Sequence, residues 1–521
     1  MSTRSNSRKA SRSILESAKN VYDVIVVGAG PAGSVLSWKL ARQGVSVLLL
    51  EASKFPREKV CGDYIEPRGL RVLETMGCLK ELEQDDPLPI THSATFVDSE
   101  CRYRGRIPFY GLLKDLPPHG YIVPRERLDE LLFQTAAGAG ANVREESLVR
   151  RVSAGKHGVQ VEARCGGRDQ IFKSRLVVGA DGVNSIVARS VNLLANDERY
   201  IALSQRAYAD GLEGDVGEAV FYFEKDLFPG YGWMFPMRGG MVNFGVGILA
   251  ESARRLKVRV PQLFRSFFDK LRRTHHRCTK LKLCRPPIGG IVKTYGGAGP
   301  NVFDGGLLIG DAGSFVDPMT GEGITPAIES ALIAAPVIKQ ALVSGRFDLN
   351  FLTQYEKEFR RYFDPSMVFV DLCAATMRNW HFRDSWLRAV ARGCEIAQED
   401  LDFARSAGAC FGGLEIYPAS VLGQMWQKTV LELMGLFPRG LLSALEFKPN
   451  PVWLAARDWF SWQAGWWASI TDDPIWHANW QSDVQRKWLN TIAQMSDSSG
   501  DPRTQGVVTW QGNLQQAAKL D

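Results

Sequence analysis

Tyr22-Asp-Val-Ile-Val-Val-Gly28-Ala-Gly30-Pro-Ala-Gly33, then a helical pattern from Ser34 to Arg42, then Val45-Ser-Val-Leu-Leu-Leu50-Glu51, is the stretch that decides the fold. Val24 to Val27 is a β-branched run, the pattern of a strand buried on both faces. Three glycines follow at once, the helical spacing stops at Gly44, and a second apolar run ends in Glu51. This reads as a βαβ unit with its glycines in the strand-to-helix turn. The glycines permit a tight turn and bring backbone N–H groups close to a diphosphate. The helix start adds unpaired donors and the positive end of its dipole, and Glu51 accepts from a ribose hydroxyl. An acidic residue there repels a 2′-phosphate, so the reading is a dinucleotide without one.

Working outward, Leu176-Val-Val-Gly-Ala180 and Gly306-Leu-Leu-Ile-Gly310 read as further strands of the same sheet. Each ends in an Asp, Asp181 or Asp311, at the carboxyl edge where open α/β sheets bind ligands. After Asp311 the chain continues to Asp317-Pro-Met-Thr-Gly321-Glu-Gly323-Ile324, which opens another helix. Alone, either segment is a strand-end loop with an Asp cap. Together and in this order they point to FAD: Asp311 accepts from the ribityl chain, and the dipole at Gly321, Gly323 and Ile324 meets the flavin pyrimidine oxygen. The expected cofactor residues are Gly28, Gly30, Ala32, Gly33, Glu51, Asp181, Asp311, Gly321, Gly323 and Ile324. No second fingerprint exists for a nicotinamide.

The chain has 521 residues, 45% apolar and 23% charged, which excludes a disordered, collagenous or coiled-coil protein. A net charge of +6 over this length does not argue for nucleic acid. The nine cysteines form no C-x-x-C pair and suit free thiols in a reducing compartment. His275-His276 lacks partners at metal-ligand spacing, so no metal is expected. No apolar run reaches transmembrane length, and the first twenty residues lack an apolar core, so a secretory signal is not expected.

The fold class expected is α/β with an α+β second layer: a Rossmann-like FAD-binding domain, an antiparallel-sheet substrate domain and a helical C-terminal region. The FAD-binding domain comprises 21–90, 121–190 and 291–345. The substrate domain comprises the strands of 91–120 and the sheet of 191–290. A Trp-rich helical region spans 346–495, between tails at 1–20 (disordered) and 496–521 (flexible). Twelve of the fourteen Trp lie at or beyond Trp380, which sets this region apart from the nucleotide fold.

Beyond the cofactor motifs, three segments carry a resemblance: Phe55-Pro-Arg-Glu-Lys59-Val-Cys61-Gly62-Asp63, Pro124-Arg125-Glu-Arg127-Leu128-Asp129, and Pro229-Gly-Tyr231-Gly-Trp233-Met-Phe235-Pro236 followed by Val242-Asn243-Phe-Gly245. From Val21 to about Leu342 the chain resembles the geranylgeranyl reductase family of the FAD monooxygenase-like superfamily. The last segment is similar to that family's Y-x-W-x-F-P cavity strand. The resemblance implies reduction of isolated C=C bonds in prenyl chains or another long apolar substrate. It implies Arg125 at the cofactor and Cys61 as the best-placed acid. Related halogenases carry W-x-W-x-I-P, from which Tyr231 and Phe235 depart.

An unactivated alkene offers no electron sink, so protonation with hydride delivery from flavin N5 is the plausible route. Cys61 is the candidate acid, against a structural buried Cys. Tyr231 and Trp233 alternate on a strand and share a face, lining a wall that suits a prenyl chain and stabilises cationic character, against an ordinary sheet core. The alternatives to a reductase are a FAD monooxygenase of an aromatic or terpenoid product, less readily a halogenase, and a flavoprotein modifying a partner protein. The expected partners are the apolar substrate and an electron donor: NAD(P)H, ferredoxin or another reductase. The location expected is cytoplasmic, with membrane-peripheral contact raised by two segments. Residues 254–285 hold twelve Lys/Arg against one Asp around Leu263, Phe264, Phe267, Phe268 and Leu271, and 452–470 holds Trp459, Trp462, Trp466 and Trp467.

Overall fold

The fingerprint strand, Val21–Val27, lies inside an eight-stranded sheet of a computed structural model. That model describes residues 21–107, 116–194, 196–214, 216–296, 300–400, 403–404 and 451–496. The tail expected at 1–20, and all but Ser496 of the one expected at 496–521, lie outside these residues. The strand order is Val302–Phe303, Gly306–Leu308, Arg168–Gly179, Val21–Val27, Val47–Leu50, Asn142–Arg144. Val21–Val27 runs parallel to both neighbours, with Val27 opposite Gly179 on one side and Leu50 on the other. The two Asp-bearing strand ends therefore meet the glycine turn at one edge. Arg168–Gly179 serves three partners: besides Val21–Val27 and Gly306–Leu308 it pairs antiparallel with Gly158–Cys165, which continues to Ser147–Gly155.

One face of this sheet is covered by helices Pro31–Arg42, Arg125–Gly138 and Ile324–Ser344, whose apolar residues form the largest core cluster. Among the described helices only Ile324–Ser344 is long and apolar enough to cross a membrane. Since 67% of its apolar window is buried, it is the core helix of the nucleotide fold.

A second sheet runs Lys282–Leu283, Ile201–Asp210, Val242–Leu249, Tyr231–Pro236, Glu218–Phe223, His92–Val97, Glu100–Arg106, with Ile288–Lys293 also paired to Ile201–Asp210. The expectation of an antiparallel sheet needs one correction. Glu218–Phe223 and His92–Val97 pair in parallel, because the chain returns through the nucleotide fold between them. A small third sheet, Tyr64–Ile65, Gly120–Ile122 and Pro89–Ile90, joins the two layers.

Helix Val260–Thr274 corrects the reading of residues 254–285 as a membrane-surface element. Its apolar face is internal: Phe264 and Phe268 stack on Phe244 at 5.1 Å, and Phe267 lies against Gly232. The Arg-rich outer face is a solvated surface.

The C-terminal helices are Leu349–Met377, Arg383–Glu399, Pro451–Asp472 and Pro474–Ser496. The last packs along Leu349–Met377 through Arg378 with Asp483, Lys487 with Asp371, and Trp480 Nε1–H donating to the Ala375 carbonyl at 2.8 Å. Trp466 and Trp480 surround Phe382. Trp467 stays 64% and Phe460 65% exposed, so the Trp-rich segment is divided between core and surface.

Candidate functional site

The glycine turn is closed by contacts only glycine tolerates. A Cβ on Gly33 would stand 1.9 Å from the Gly28 carbonyl oxygen, and one on Gly28, at φ +97°, would stand 2.4 Å from that of Ala180. Gly30 differs. Its Cβ position meets only two guanidinium nitrogens, Arg125 Nη2 at 3.8 Å and Arg57 Nη2 at 3.9 Å. The first ladder bond of helix Pro31–Arg42 is Ser34 N–H to the Gly30 carbonyl, 3.0 Å, so the N–H groups of Ala32 and Gly33 precede it and have no partner within the helix. An opening faced by two cations and free helix-start donors fits a diphosphate. The donor set fits FAD.

Glu51 is 6% exposed and accepts from Ala29 N–H and Ser53 N–H, both at 3.0 Å, with Arg57 Nε 3.3 Å away. The sequence offered Arg57 only as part of a motif; the fold makes it a second cation of the turn. Arg125 is held bidentate by Asp129 at 2.7 Å on Nε and Nη2; Nη2 is also its nitrogen nearest Gly30, and Cys61 lies beside the guanidinium. Asp181 turns out to be a helix cap: its carboxylate accepts from Ser185 Oγ (2.5 Å) and Ile186 N–H (2.6 Å). Its backbone, not its carboxylate, borders Gly28. Asp311 sits in the turn Gly310–Gly313, whose Gly310 N–H is held by Ser330 Oγ at 3.0 Å.

Beside this opening runs the loop Cys61-Gly62-Asp63. Asp63, at φ +63° and fully buried, accepts from Tyr208 Oη and from Asn243 Nδ2 (2.7 Å). Asn243 also donates to the Cys61 carbonyl (3.0 Å) and accepts from Trp233 Nε1 (3.0 Å). Arg206, 1% exposed, donates to the carbonyls of Cys61 (3.2 Å) and Lys59 (3.1 Å), pairs with Glu58 (3.3 Å), and lies over the Tyr208 ring. Burial pushes Asp63 up to about 6, against its hydrogen bonds to Tyr208 and Asn243 and the charge of Arg206. Burial, reinforced by Asp63, pushes the Cys61 thiol up to about 11, with Arg125 opposing. Cys61 therefore carries its proton at neutral pH. The eight cysteines among the described residues are free thiols.

The loop rests on an aromatic wall. A Cβ on Gly62 would lie 3.1 Å from the Phe235 ring, and one on Gly245 would strike Trp233 at 2.3 Å. Tyr231, Trp233 and Phe235 follow one another at 6.1 and 6.4 Å on one face of their strand. Three aromatics not named from sequence complete it. Phe221 is 5.5 Å from Phe235, Phe223 is 6.0 Å from Tyr231, and Tyr64 is 5.8 Å from Phe235. The alternation in Glu218-Ala-Val-Phe-Tyr-Phe223 is the signal that held two of them. Tyr231 Oη donates to the Thr320 carbonyl, tying the wall to the loop that carries Gly321, Gly323 and Ile324. Among the described residues no His/Cys/Asp/Glu group could hold a metal ion.

Comparison with known proteins agrees with this geometry. A family profile described as an FAD binding domain matches residues 21–220. The chain is 32% identical over 364 residues to a digeranylgeranylglycerophospholipid reductase of Methanothermobacter thermautotrophicus, covering 65% of this chain and 83% of that protein. It is 31% identical over 335 residues to a menaquinone reductase of Mycolicibacterium smegmatis, covering 61% and 76%. In fold it is similar to a geranylgeranyl bacteriochlorophyll reductase-like protein of Thermoplasma acidophilum, with a TM-score of 0.61, 22% identity and coverage of 78% and 99%. The flavin-dependent halogenase CmlS shares the fold at a TM-score of 0.60 and 21% identity, with 72% of each chain covered. With its glycine turn, its paired arginines and relatives above 30% identity, the chain is an FAD-dependent oxidoreductase of the geranylgeranyl reductase family.

Proposed function

We propose that this enzyme saturates isolated C=C bonds in the prenyl chain of a long apolar substrate, a quinone or lipid of the kind its relatives' names carry. The observation that supports this is the juxtaposition of Cys61, Gly62 and Asp63 with the wall of Tyr64, Phe221, Tyr231, Trp233 and Phe235. Bound FAD supplies the two electrons together with one hydrogen. Gly28, Gly30, Ala32 and Gly33 bring their backbone to the diphosphate, and Arg57 and Arg125 neutralise it. Glu51 and Asp311 take the ribose and ribityl hydroxyls. Asp181 holds its strand end against the turn, and Gly321, Gly323 and Ile324 present a helix start to the pyrimidine edge. The aromatic faces orient the prenyl chain, exclude water and favour cationic character at the more substituted alkene carbon, the one that takes the hydride. Cys61 Sγ holds the proton for the other carbon, and the Asp63–Asn243–Trp233 bonds fix its loop.

In this reading residues 91–120 and 191–290 form the substrate side and 21–90, 121–190 and 291–345 the cofactor side. Electrons come from NAD(P)H, ferredoxin or another reductase. The location is cytoplasmic, with Phe460 and Trp467 as the surface for peripheral membrane contact.

The test is anaerobic turnover of the dithionite-reduced holoenzyme with a menaquinone and with a geranylgeranyl lipid, read by mass spectrometry. The expected product gains two hydrogens per bond, and Cys61→Ala slows it about a hundredfold. No anaerobic product, together with an aerobic reaction whose oxygen consumption keeps step with a product that gains oxygen or halogen, overturns the reading in favour of the chemistry of the hydroxylase and halogenase neighbours.

A further inference from the structure

Behind the aromatic wall lies a group of acids that the chemistry above does not use. Glu66 precedes helix Pro67–Met76, Asp317 and Glu322 lie in the loop before helix Ile324–Ser344, and Glu329 is inside that helix. Gly69 lets the two helices close, its Cβ position being 3.2 Å from Thr325 Oγ1. The four carboxylates gather around Arg68, whose Nη1 is 3.0 Å from Glu329 and Nη2 3.6 Å from Glu66. Tyr362 donates to Glu329 at 2.8 Å, and Glu322 and Asp317 accept from the N–H groups of Thr325 (2.9 Å) and Thr320 (2.7 Å). Glu66, Arg68 and Glu329 are 5%, 8% and 2% exposed. Four buried polar atoms here have no partner: Arg68 Nε, Glu329 Oε2, Tyr64 Oη and Thr325 Oγ1.

Fully ionised, this group would hold four negative charges against one positive, two on the buried Glu66 and Glu329 and two on the half-buried Asp317 and Glu322, an imbalance that burial penalises. The groups that face Glu66 and Glu322 are Arg68, Glu329, Asp317, Tyr64 and Tyr362, and Arg68 is the one cation among them. Burial pushes Glu66 up to about 7; Glu329 and Asp317 add to this and Arg68 opposes it. Burial, with Glu66 adding, holds Glu322 well above the carboxylate range. The cluster thus keeps a proton that is exchangeable near neutral pH. Its loop is Gly321-Glu322-Gly323, the segment to which the proposed function assigns the flavin pyrimidine edge, and the inference rests on that assignment.

We propose that the Glu66–Glu322–Glu329 cluster takes up a proton when the bound flavin is reduced and returns it on reoxidation. Two electrons and one proton entering the flavin leave it one charge more negative. A second proton, from solvent, forms an O–H bond on a Glu66 or Glu322 carboxylate, so two electrons and two protons enter together. On reoxidation by the alkene one hydrogen leaves the flavin with both electrons. The O–H bond then breaks, and the second proton replaces on Cys61 the one the thiol gives to the other carbon, so that hydride, proton and charge all balance. The helix start favours an anion beside it, and a neutral carboxyl group removes the repulsion that Glu322 would otherwise exert.

The experiment is a spectroelectrochemical titration of the FAD-loaded protein at a series of pH values above about 7. Wild type is expected to show two protons taken up per two electrons, and the Glu66→Gln/Glu322→Gln variant one. Should that variant not fold, Glu322→Gln alone, whose amide oxygen still accepts from Thr325, is expected to show an intermediate slope. A one-proton slope in wild type, or an unchanged two-proton slope in the variants, overturns the proposal. This readout needs no substrate, so failure to reduce any prenyl chain would count against the proposed function and leave this measurement to decide the cluster.

Discussion

Two buried polar networks flank the chamber, and they are built on opposite principles. Around Asp63 the charges are matched. One carboxylate meets Tyr208 and Asn243 through Oδ2, one guanidinium meets two carbonyls and Glu58, and Trp233 donates to Asn243, with Asp63 Oδ1 left over. Around Arg68 four carboxylates share a single cation, and four polar atoms are left over. A buried network with nearly all its polar atoms paired rigidifies what it touches, whereas one with four acids to a single cation lowers its cost by holding protons. The first network is suited to holding a loop in place, and the second to titrating. The same fold thus separates positioning from proton storage on either side of one aromatic wall.

The largest effect expected from breaking this contrast is at Arg206. Arg206→Met leaves the Lys59 carbonyl without its donor, the Cys61 carbonyl with Asn243 alone and Glu58 without this partner, and costs about 3 kcal/mol in urea denaturation; a loss below about 1 kcal/mol would make the loop independent of its anchor. Next is Glu66→Gln. Glu66 binds its proton more tightly in the folded chain, at about 7, than at its ordinary 4.5. Wild-type stability therefore falls as pH rises from about 4.5 through about 7, and the cost is complete above that. The Gln variant escapes this cost, so it should gain on the order of 2 kcal/mol over wild type at pH about 8 relative to pH about 4. A pH-independent difference would show that both networks are equally balanced. The smallest effect is at Trp233→Phe, which removes one donor from Asn243 while keeping the ring. About 1 kcal/mol is expected in the same denaturation assay, and a larger loss would mean that the indole's packing over Gly245 carries the strand.

The basic helix Val260–Thr274 and the helix Pro451–Asp472 show how far pattern reading reaches. Both are rich in bulky apolar residues, and both were read as candidates for a membrane surface. The first buries Phe264 and Phe267 on its own sheet, and the second leaves Phe460 and Trp467 exposed. Sequence periodicity says that a face is apolar, not what covers it. Arg57 and Tyr64 were passed over for a related reason. Each lies within a few residues of Cys61, yet Arg57 reaches the glycine turn and Tyr64 the wall only through the way the loop folds back.

Read by itself, the sequence determined the βαβ unit, the strand ends at Asp181 and Asp311, the helix start at Ile324 and the aromatic alternation of Tyr231, Trp233 and Phe235. These are local: a strand's period, a turn's demand for glycine and a helix's first residue are set within about ten positions of chain. The tertiary structure alone decided that Asp181 spends its carboxylate on a helix cap, that Arg206 anchors the Cys61 loop from another sheet, and that Glu66, Asp317, Glu322 and Glu329 share one arginine. Such charge matching depends on which distant segments meet in a volume that water cannot screen, and no local pattern encodes that encounter.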